Sequence, residues 1–362
     1  MNRKLQLRTL FGVTAVAALF WIMQWLIHIK QDPDFGNIQT TNWIAAVQTE
    51  SNGKYKAVII KPDGTKLLTA DNKKSATDHD LVWQSDGGRL FFISNRDRKA
   101  FDIYRWNLAK NILERRTFDN RPKSDLSFRD TQNKNKGLLI SGATILQFNP
   151  KTGSMQQILP QLTADPKLLA FYQKYVQRFL KARSLNEGNL MIVLAKEEDG
   201  HHHLMVQDLT KTSLPAIIAS GKFIDFDAHA SGKILYAIQS DDGLSQLLLF
   251  DDETGQKNLI YQSKSEEMTT PRLSQSLGYA AVQLASSRSL ALLSIKEGRV
   301  VHFFDQTTTD ASWHPYLDLL LYTKKVGVHG NAIFVYDATS KSEKRITYDE
   351  AEYQLPQFSP AR

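Results

Sequence analysis

The sequence predicts an all-β fold, a seven-bladed β-propeller, preceded by one membrane-spanning helix. Three observations carry that reading. One stretch reads as a complete four-stranded meander, its pattern recurs along the chain, and the two chain ends supply complementary parts of one further meander. The meander runs from Val82 to Thr117. Trp83 ends a first strand, and Asp86-Gly87-Gly88 turns the chain. Leu90 to Ser94 is the second strand, Asp102 to Trp106 the third, and Leu113 to Thr117 the fourth. Short apolar runs separated by Asp/Gly turns are hairpin chemistry. One meander of this size cannot bury both faces, so it must stack against others.

The recurrence is visible at the end of the first strand. Trp83 has counterparts in Phe128, Arg183, Phe226, Leu273, Trp313 and Phe358, spaced 40 to 55 residues apart. That is the period of a propeller blade. The fullest echo is Ala311 to Thr323, followed by Ala332 to Asp337 and by Lys344 to Thr347. The chain stops soon after Pro356-Gln357-Phe358, which is only a first strand. Trp43 to Gln48, Lys56 to Lys61 and Thr65 to Thr69 supply the other three. Joining the ends closes the ring and removes open sheet edges. Six and eight blades are the neighbouring counts.

These repeats resemble the WD40-like (PD40) propeller repeat of the TolB family of periplasmic translocation proteins. The shared pattern is P-x-W-S-P-D-G, an apolar strand, S-x-R-D, then D-I-Y and R-x-T. Trp83, Asp86, Gly87, Ser94, Arg96, Asp97, Asp102, Ile103, Tyr104, Arg116 and Thr117 match it. Pro356, Phe358, Ser359 and Pro360 match its opening. The resemblance covers residues 43–362 and is strongest from Val82 to Phe118. Two departures stand out. The α/β domain that precedes the propeller in TolB has no counterpart, and seven repeats replace that family's six blades. The resemblance therefore implies architecture, and no partner-binding residue carries over.

Ahead of the repeats, residues 1–9 form a basic head, and Leu10 to Ile29 is an apolar run long enough to span a bilayer. Trp21 and Trp25 lie toward its far end, where aromatic rings favour the interface. The positive flank is N-terminal, which places the head in the cytoplasm and the propeller in the periplasm. The competing reading is a signal peptide cleaved after Ala15-Val16-Ala17. Residues 30–42, with Pro33 and Gly36, read as a linker, and residues 43–362 as the propeller.

The net charge of +7 is concentrated at the N-terminus. Residues 1–30 hold four basic and no acidic residues, so the remainder has 41 basic against 38 acidic, or +3. Phosphate binding needs a concentrated basic face, so nucleic acid is not the expected partner. The chain has no cysteine, which excludes disulfides, thiolate metal sites and a Cys nucleophile.

One segment breaks the strand pattern. Asp165 to Leu180 reads as a helix inserted between the third and fourth blades, counting the closing blade as the first. Thr163 or Asp165 can cap it and Pro166 suits its first turn. Leu168, Tyr172, Tyr175, Val176 and Phe179 form an apolar stripe at helical spacing. Lys174, Arg178 and Lys181 fall on the other face, and the reading takes them as a surface for a partner or for anionic lipid.

Sequence motifs for chemistry are sparse. There is no Gly-x-Ser-x-Gly elbow, phosphate-binding Gly loop or His-Glu-x-x-His motif. His201-His202-His203 follows Asp199-Gly200 at an expected hairpin tip, and His79 and His329 fall on loops expected at the same face. A ring of histidines from several blades would suit an axial divalent metal. Exposed turn histidines are the plainer reading, and His229 and His314 are expected in turns on the opposite face. Asp241-Asp242-Gly243 and Asp251-Asp252-Glu253 read as hairpin tips rather than calcium loops.

The functional expectation is therefore non-enzymatic, without cofactor or metal. It is a protein-binding scaffold in a bacterial envelope assembly, held in the inner membrane by residues 10–29. The alternative is a propeller-type polysaccharide lyase or hydrolase with a His-lined metal site.

Overall fold

A computed structural model describes residues 43–360 apart from 51, 71–75, 98–99, 129–135, 162–164, 186–188, 212, 306 and 328–329. The basic head, the apolar run and the linker lie outside the described residues. Among the described residues no helix is long and apolar enough to cross a membrane.

The described strands form seven four-stranded antiparallel sheets. Each sheet begins with a strand at the propeller axis. These axial strands are β4 (Asp78–Trp83), β8 (Ser124–Phe128), β12 (Arg178–Leu185), β16 (Phe223–Ala228), β20 (Met268–Leu273), β24 (Thr308–Trp313) and β28 (Glu352–Phe358). Six of the sheets are consecutive meanders. The seventh joins the chain ends. β28 pairs with β1 (Ile44–Thr49), followed by β2 (Tyr55–Ile60) and β3 (Lys66–Thr69). The closing blade therefore forms as the chain ends predict, and we number it one.

The core lies between blades. Trp43, Ala45, Ile59 and Leu81 of the first junction pack with Trp83, Phe92 and Trp106 of blade two. Phe91 and Ile103 pack against Leu126, Leu139 and Phe148 of blade three. Apolar residues alternate along the strands, so each sheet covers its neighbours on both faces.

The repeat motif has a structural job in blade two. Asp78 accepts two bonds from the Arg96 guanidinium at 2.8 and 2.9 Å, and one from the Ala57 amide of blade one at 3.0 Å. The Thr117 hydroxyl donates to Asp102 at 3.0 Å and accepts from the Ile103 amide at 2.9 Å. Tyr104 donates to Asp97 at 2.7 Å. Thr347 repeats the Thr117 role in blade seven, accepting from the Ile333 amide at 2.9 Å. Apart from the exposed Asp97, these groups are buried, and all are satisfied within the blade or by its neighbour, so the motif marks the fold rather than a site.

The inserted helix is shorter than its periodicity suggests. α1 spans Pro166–Tyr175, with Asp165 as its N-cap accepting from the Lys167 amide at 2.9 Å. The chain then leaves the helix at Val176 and enters β12. Arg178 and Lys181 are thus axial-strand residues, not members of a helical face. The physical reason is pairing: residues 178–185 register against β13 (Leu190–Lys196) as the first strand of blade four. Leu168 and Tyr172 are buried among Leu138, Ile140, Phe179 and Val193, so α1 seals the junction of blades three and four. The Tyr172 hydroxyl reaches Gln207 at 3.3 Å.

Candidate functional site: the axial mouth

The axis is built from one repeated backbone irregularity. Six of the seven first-strand pairings carry a register shift, and only β16 pairs without one. At five of these bulges a non-glycine residue takes a left-handed φ: Asp80, Asp125, Thr270, Asp310 and Leu355. Each stands three residues before the strand-ending Trp83, Phe128, Leu273, Trp313 or Phe358. The bulge turns the side chain or amide of one blade toward the next.

Side chains then bridge every blade junction at the axis. Asp80 accepts from the Asp125 amide at 2.9 Å. Asp125 accepts from the Ala182 amide at 2.8 Å and from Arg183 at 2.9 and 3.0 Å. Lys181 pairs with Asp225 at 2.9 Å. Asp227 accepts from the Leu273 amide at 2.9 Å. Arg272 Nε donates to the Ala311 carbonyl at 3.2 Å, and Trp313 Nε1 returns a bond to the Arg272 carbonyl at 3.0 Å. The Ser312 hydroxyl donates to the Pro356 carbonyl at 2.6 Å, and the Leu355 amide donates to Asp310. Trp83 Nε1 closes the ring on the Gln357 carbonyl at 3.3 Å.

Charge at the axis follows burial. Burial pulls the Lys181 ammonium below its usual range, although Asp225 opposes the shift. For Asp225, burial works to raise the carboxyl, but the Lys181 ammonium beside it holds it below the usual carboxylate range. Burial pushes Asp310 above that range.

One part of the axis opens. A cavity of about 620 Å³ sits where blades six, seven and one meet. Arg272 and Thr270 reach it from β20, Asp310 and Thr309 from β24, and Leu355 and Gln357 from β28. Arg288, in the hairpin between β21 (Tyr279–Leu284) and β22 (Ser289–Ser294), and Asn331 stand at its rim. Among the described residues, five of the ten non-glycine residues with left-handed φ line this one cavity: Thr270, Arg288, Thr307, Asp310 and Leu355. Thr270 and Thr307 are the β-branched members of that group, for which such a φ is a true outlier. Strained backbone of this kind concentrates at functional sites.

The residues singled out from the sequence lie elsewhere. Lys174 is exposed on α1, and Arg178 is exposed at the start of β12. Lys181 points inward to Asp225 and the Phe226 carbonyl, so the three do not form one outward face. His79 is on β4 rather than a loop, with its ring against Phe101 at 4.9 Å. His201 is half-buried in the turn, bonded to Asp199 at 2.9 Å. His202 and His203 belong to β14 (His202–Asp208). His203 bridges Ser220 at 2.8 Å and Glu197 at 2.6 Å. His329 lies outside the described residues. Among the described residues no three His, Asp or Glu side chains converge as a metal site would require. His229 and His314 do sit in turns after first strands, each bonding its own turn. Asp242 accepts from Ser240 and Leu244 in its hairpin tip, as expected.

Sequence reasoning missed Arg272, Arg288, Thr270, Thr307 and Asp310. A signal was present for part of this set: an Asp three residues before the strand-ending aromatic recurs as Asp80, Asp125 and Asp310.

No family model matches the chain, and no curated protein matches it. Solved structures do. TolB from Acinetobacter baumannii aligns over 89% of this chain and 67% of its own, at 14% identity and TM-score 0.54. The Swd1 β-propeller domain of Myceliophteria thermophila aligns over 80% and 94%, at 13% identity and TM-score 0.55. An oligogalacturonate lyase in complex with manganese aligns over 86% of each chain, at 9% identity and TM-score 0.59. At these identities the likeness is one of fold.

Proposed function

We propose that this chain, whose fold is that of TolB-like and WD40-like propellers, is a binding module that docks a partner over its axial mouth. Residues 10–29 would anchor it in a bacterial inner membrane, with the propeller in the periplasm and the partner an envelope protein. The observation that carries this reading is the gathering of strained, non-glycine backbone around one open cavity. The bulges at Asp80 and Asp125 bond to the next blade, and those at Thr270, Asp310 and Leu355 also border this cavity. Strain that costs on the order of 1–3 kcal/mol per residue persists where the surrounding frame over-determines it. The ring of inter-blade bonds is such a frame. It offers a rigid, pre-organised platform, which lowers the entropy cost of binding.

Lys174 and Arg178 remain a second candidate contact, for a partner or for anionic lipid. Lys181 leaves that surface because its charge is used inside. The acidic hairpin residues Glu197, Glu198 and Asp199 stand beside Lys174 around a shared cleft, which weakens any long-range attraction there.

The test is photo-crosslinking in living cells. A photoreactive residue at position 288 or 331 should capture one envelope protein, and one on the outer edge strands should not. Capture only from position 174 or 178 would move the docking surface to α1. The lyase or hydrolase alternative predicts stoichiometric transition metal in the purified protein, and finding it would replace the binding-module reading.

A further inference from the structure

We propose that the mouth recognises a peptide carboxylate, held between Arg272 and Arg288. The inference rests on the mouth being the docking site. Arg272 is fixed by two bonds to neutral carbonyls, Nε to Ala311 at 3.2 Å and a terminal nitrogen to Pro271 at 3.0 Å. Those bonds orient the guanidinium, whose charge acts on Asp225 and Asp310 without a direct ion-pair contact to either. Arg288 is exposed, and its backbone is set by a bond from the Thr307 amide to its carbonyl at 2.7 Å. Among the described residues neither guanidinium is in ion-pair contact with a carboxylate. Asp310 is the acid of the mouth, and burial raises it toward its neutral form. The cavity is thus biased toward an anion, and the planar fork of arginine fits a carboxylate bidentately.

The rest of the lining favours a peptide as the bearer. Gln283, Asn331 and Gln357 offer amides, and four threonines offer hydroxyls, groups that pair with peptide N–H and C=O. Ala285, Ala311, Leu355 and Pro356 offer small apolar contacts. Among the described residues no aromatic ring lines the cavity. Sugar rings dock by stacking on aromatic faces, so an acidic oligosaccharide finds less to hold. The volume falls in the range of ordinary ligand pockets, about 300–1,000 Å³.

The experiment is a selection of short random peptides with free C-termini on the full chain in detergent, with an oligo-uronic acid assayed in parallel. Enriched peptides should carry Asp, Glu or a required terminal carboxylate. Removing that carboxylate, by Gln or Asn replacement or by amidation, should weaken binding about tenfold or more, as should Arg288→Glu. Arg288 is exposed, so this variant should fold, which circular dichroism checks. Asn331→Trp, which fills the mouth, should abolish binding. Enriched peptides without a carboxylate that Asn331→Trp still blocks would overturn the carboxylate proposal and leave the docking site standing. Uronic acid binding in the mouth with no peptide enriched would overturn the peptide class. No enrichment of any ligand, or binding indifferent to both variants, would overturn the proposal and the docking site together.

Discussion

Lys181 and Asp310 show how single side chains at the axis serve opposite ends. Lys181 and Asp225 are both largely buried and face each other at 2.9 Å across blades four and five. Replacing Lys181 with Glu leaves two carboxylates where one ion pair stood. Breaking a buried pair costs about 3–5 kcal/mol. The variant should therefore show a large drop in chemical-denaturation midpoint, and an unchanged midpoint would show the pair to be dispensable. Asp310 carries the opposite sign. Its folded pKa is raised, so the folded state holds its proton where the unfolded chain, near pH 4, has begun to lose it. Folding stability from this group therefore falls as pH rises from about 4 through the raised value. Asp310→Asn removes the ionisation and keeps an oxygen for the Leu355 amide. The melting temperature of the variant should gain on that of the wild type as pH rises from about 4 through the raised value of Asp310, and level off above it. A difference that stays flat across that range would refute the buried-acid account.

Among the elements, β28 has the largest consequence for its size. It brings Tyr353, Pro356 and Phe358 into the core and pairs along β1. It also receives bonds from Trp83 and Ser312 of the two flanking blades. Deleting residues 352–362 removes two large buried side chains at about 1.5–3 kcal/mol each and exposes the edge of β1. Against a typical stability of about 5–15 kcal/mol, the truncated chain should unfold or aggregate. Size-exclusion chromatography reads this directly, and a monomer with native melting temperature would contradict ring closure by pairing. α1 differs in kind. It contributes Leu168 and Tyr172 to a junction that the blades leave partly open. Tyr172→Ala should cost about 3–5 kcal/mol, as loss of a buried aromatic does, while Lys174→Glu on its exposed face should shift denaturation by no more than about 0.5 kcal/mol.

For the whole molecule, the proposed membrane anchor would govern what the propeller can meet. The basic head and apolar run of residues 1–29 predict an uncleaved anchor with the propeller exported. A C-terminal alkaline phosphatase fusion should be active, and the protein should require detergent for extraction. A mature N-terminus at Ala18 would replace the anchor with a cleaved signal. With residues 1–30 set aside, the remainder carries only +3, so its binding should depend on local charge at the mouth more than on a long-range field.

The sequence by itself determined the blades. Asp86-Gly87 sets a turn through neighbouring residues, Arg96 and Thr117 bond Asp78 and Asp102 within the same meander, and β1, β2, β3 and β28 fall where the chain ends place them. Such features are legible because turn chemistry and period-two burial are local. The length of α1 was not. Residues 176–181 satisfy a helical spacing, but pairing with β13 claims them for blade four, and that partner lies beyond the segment. Only the tertiary structure decided the role of Lys181, whose partner Asp225 is 44 residues away. It also decided the mouth. Asp310 and Leu355 share the bulge position, but Arg272 and Arg288 follow no repeat, and what joins the four, from three blades, is ring closure. Closure brings β20, β24 and β28 to one cavity.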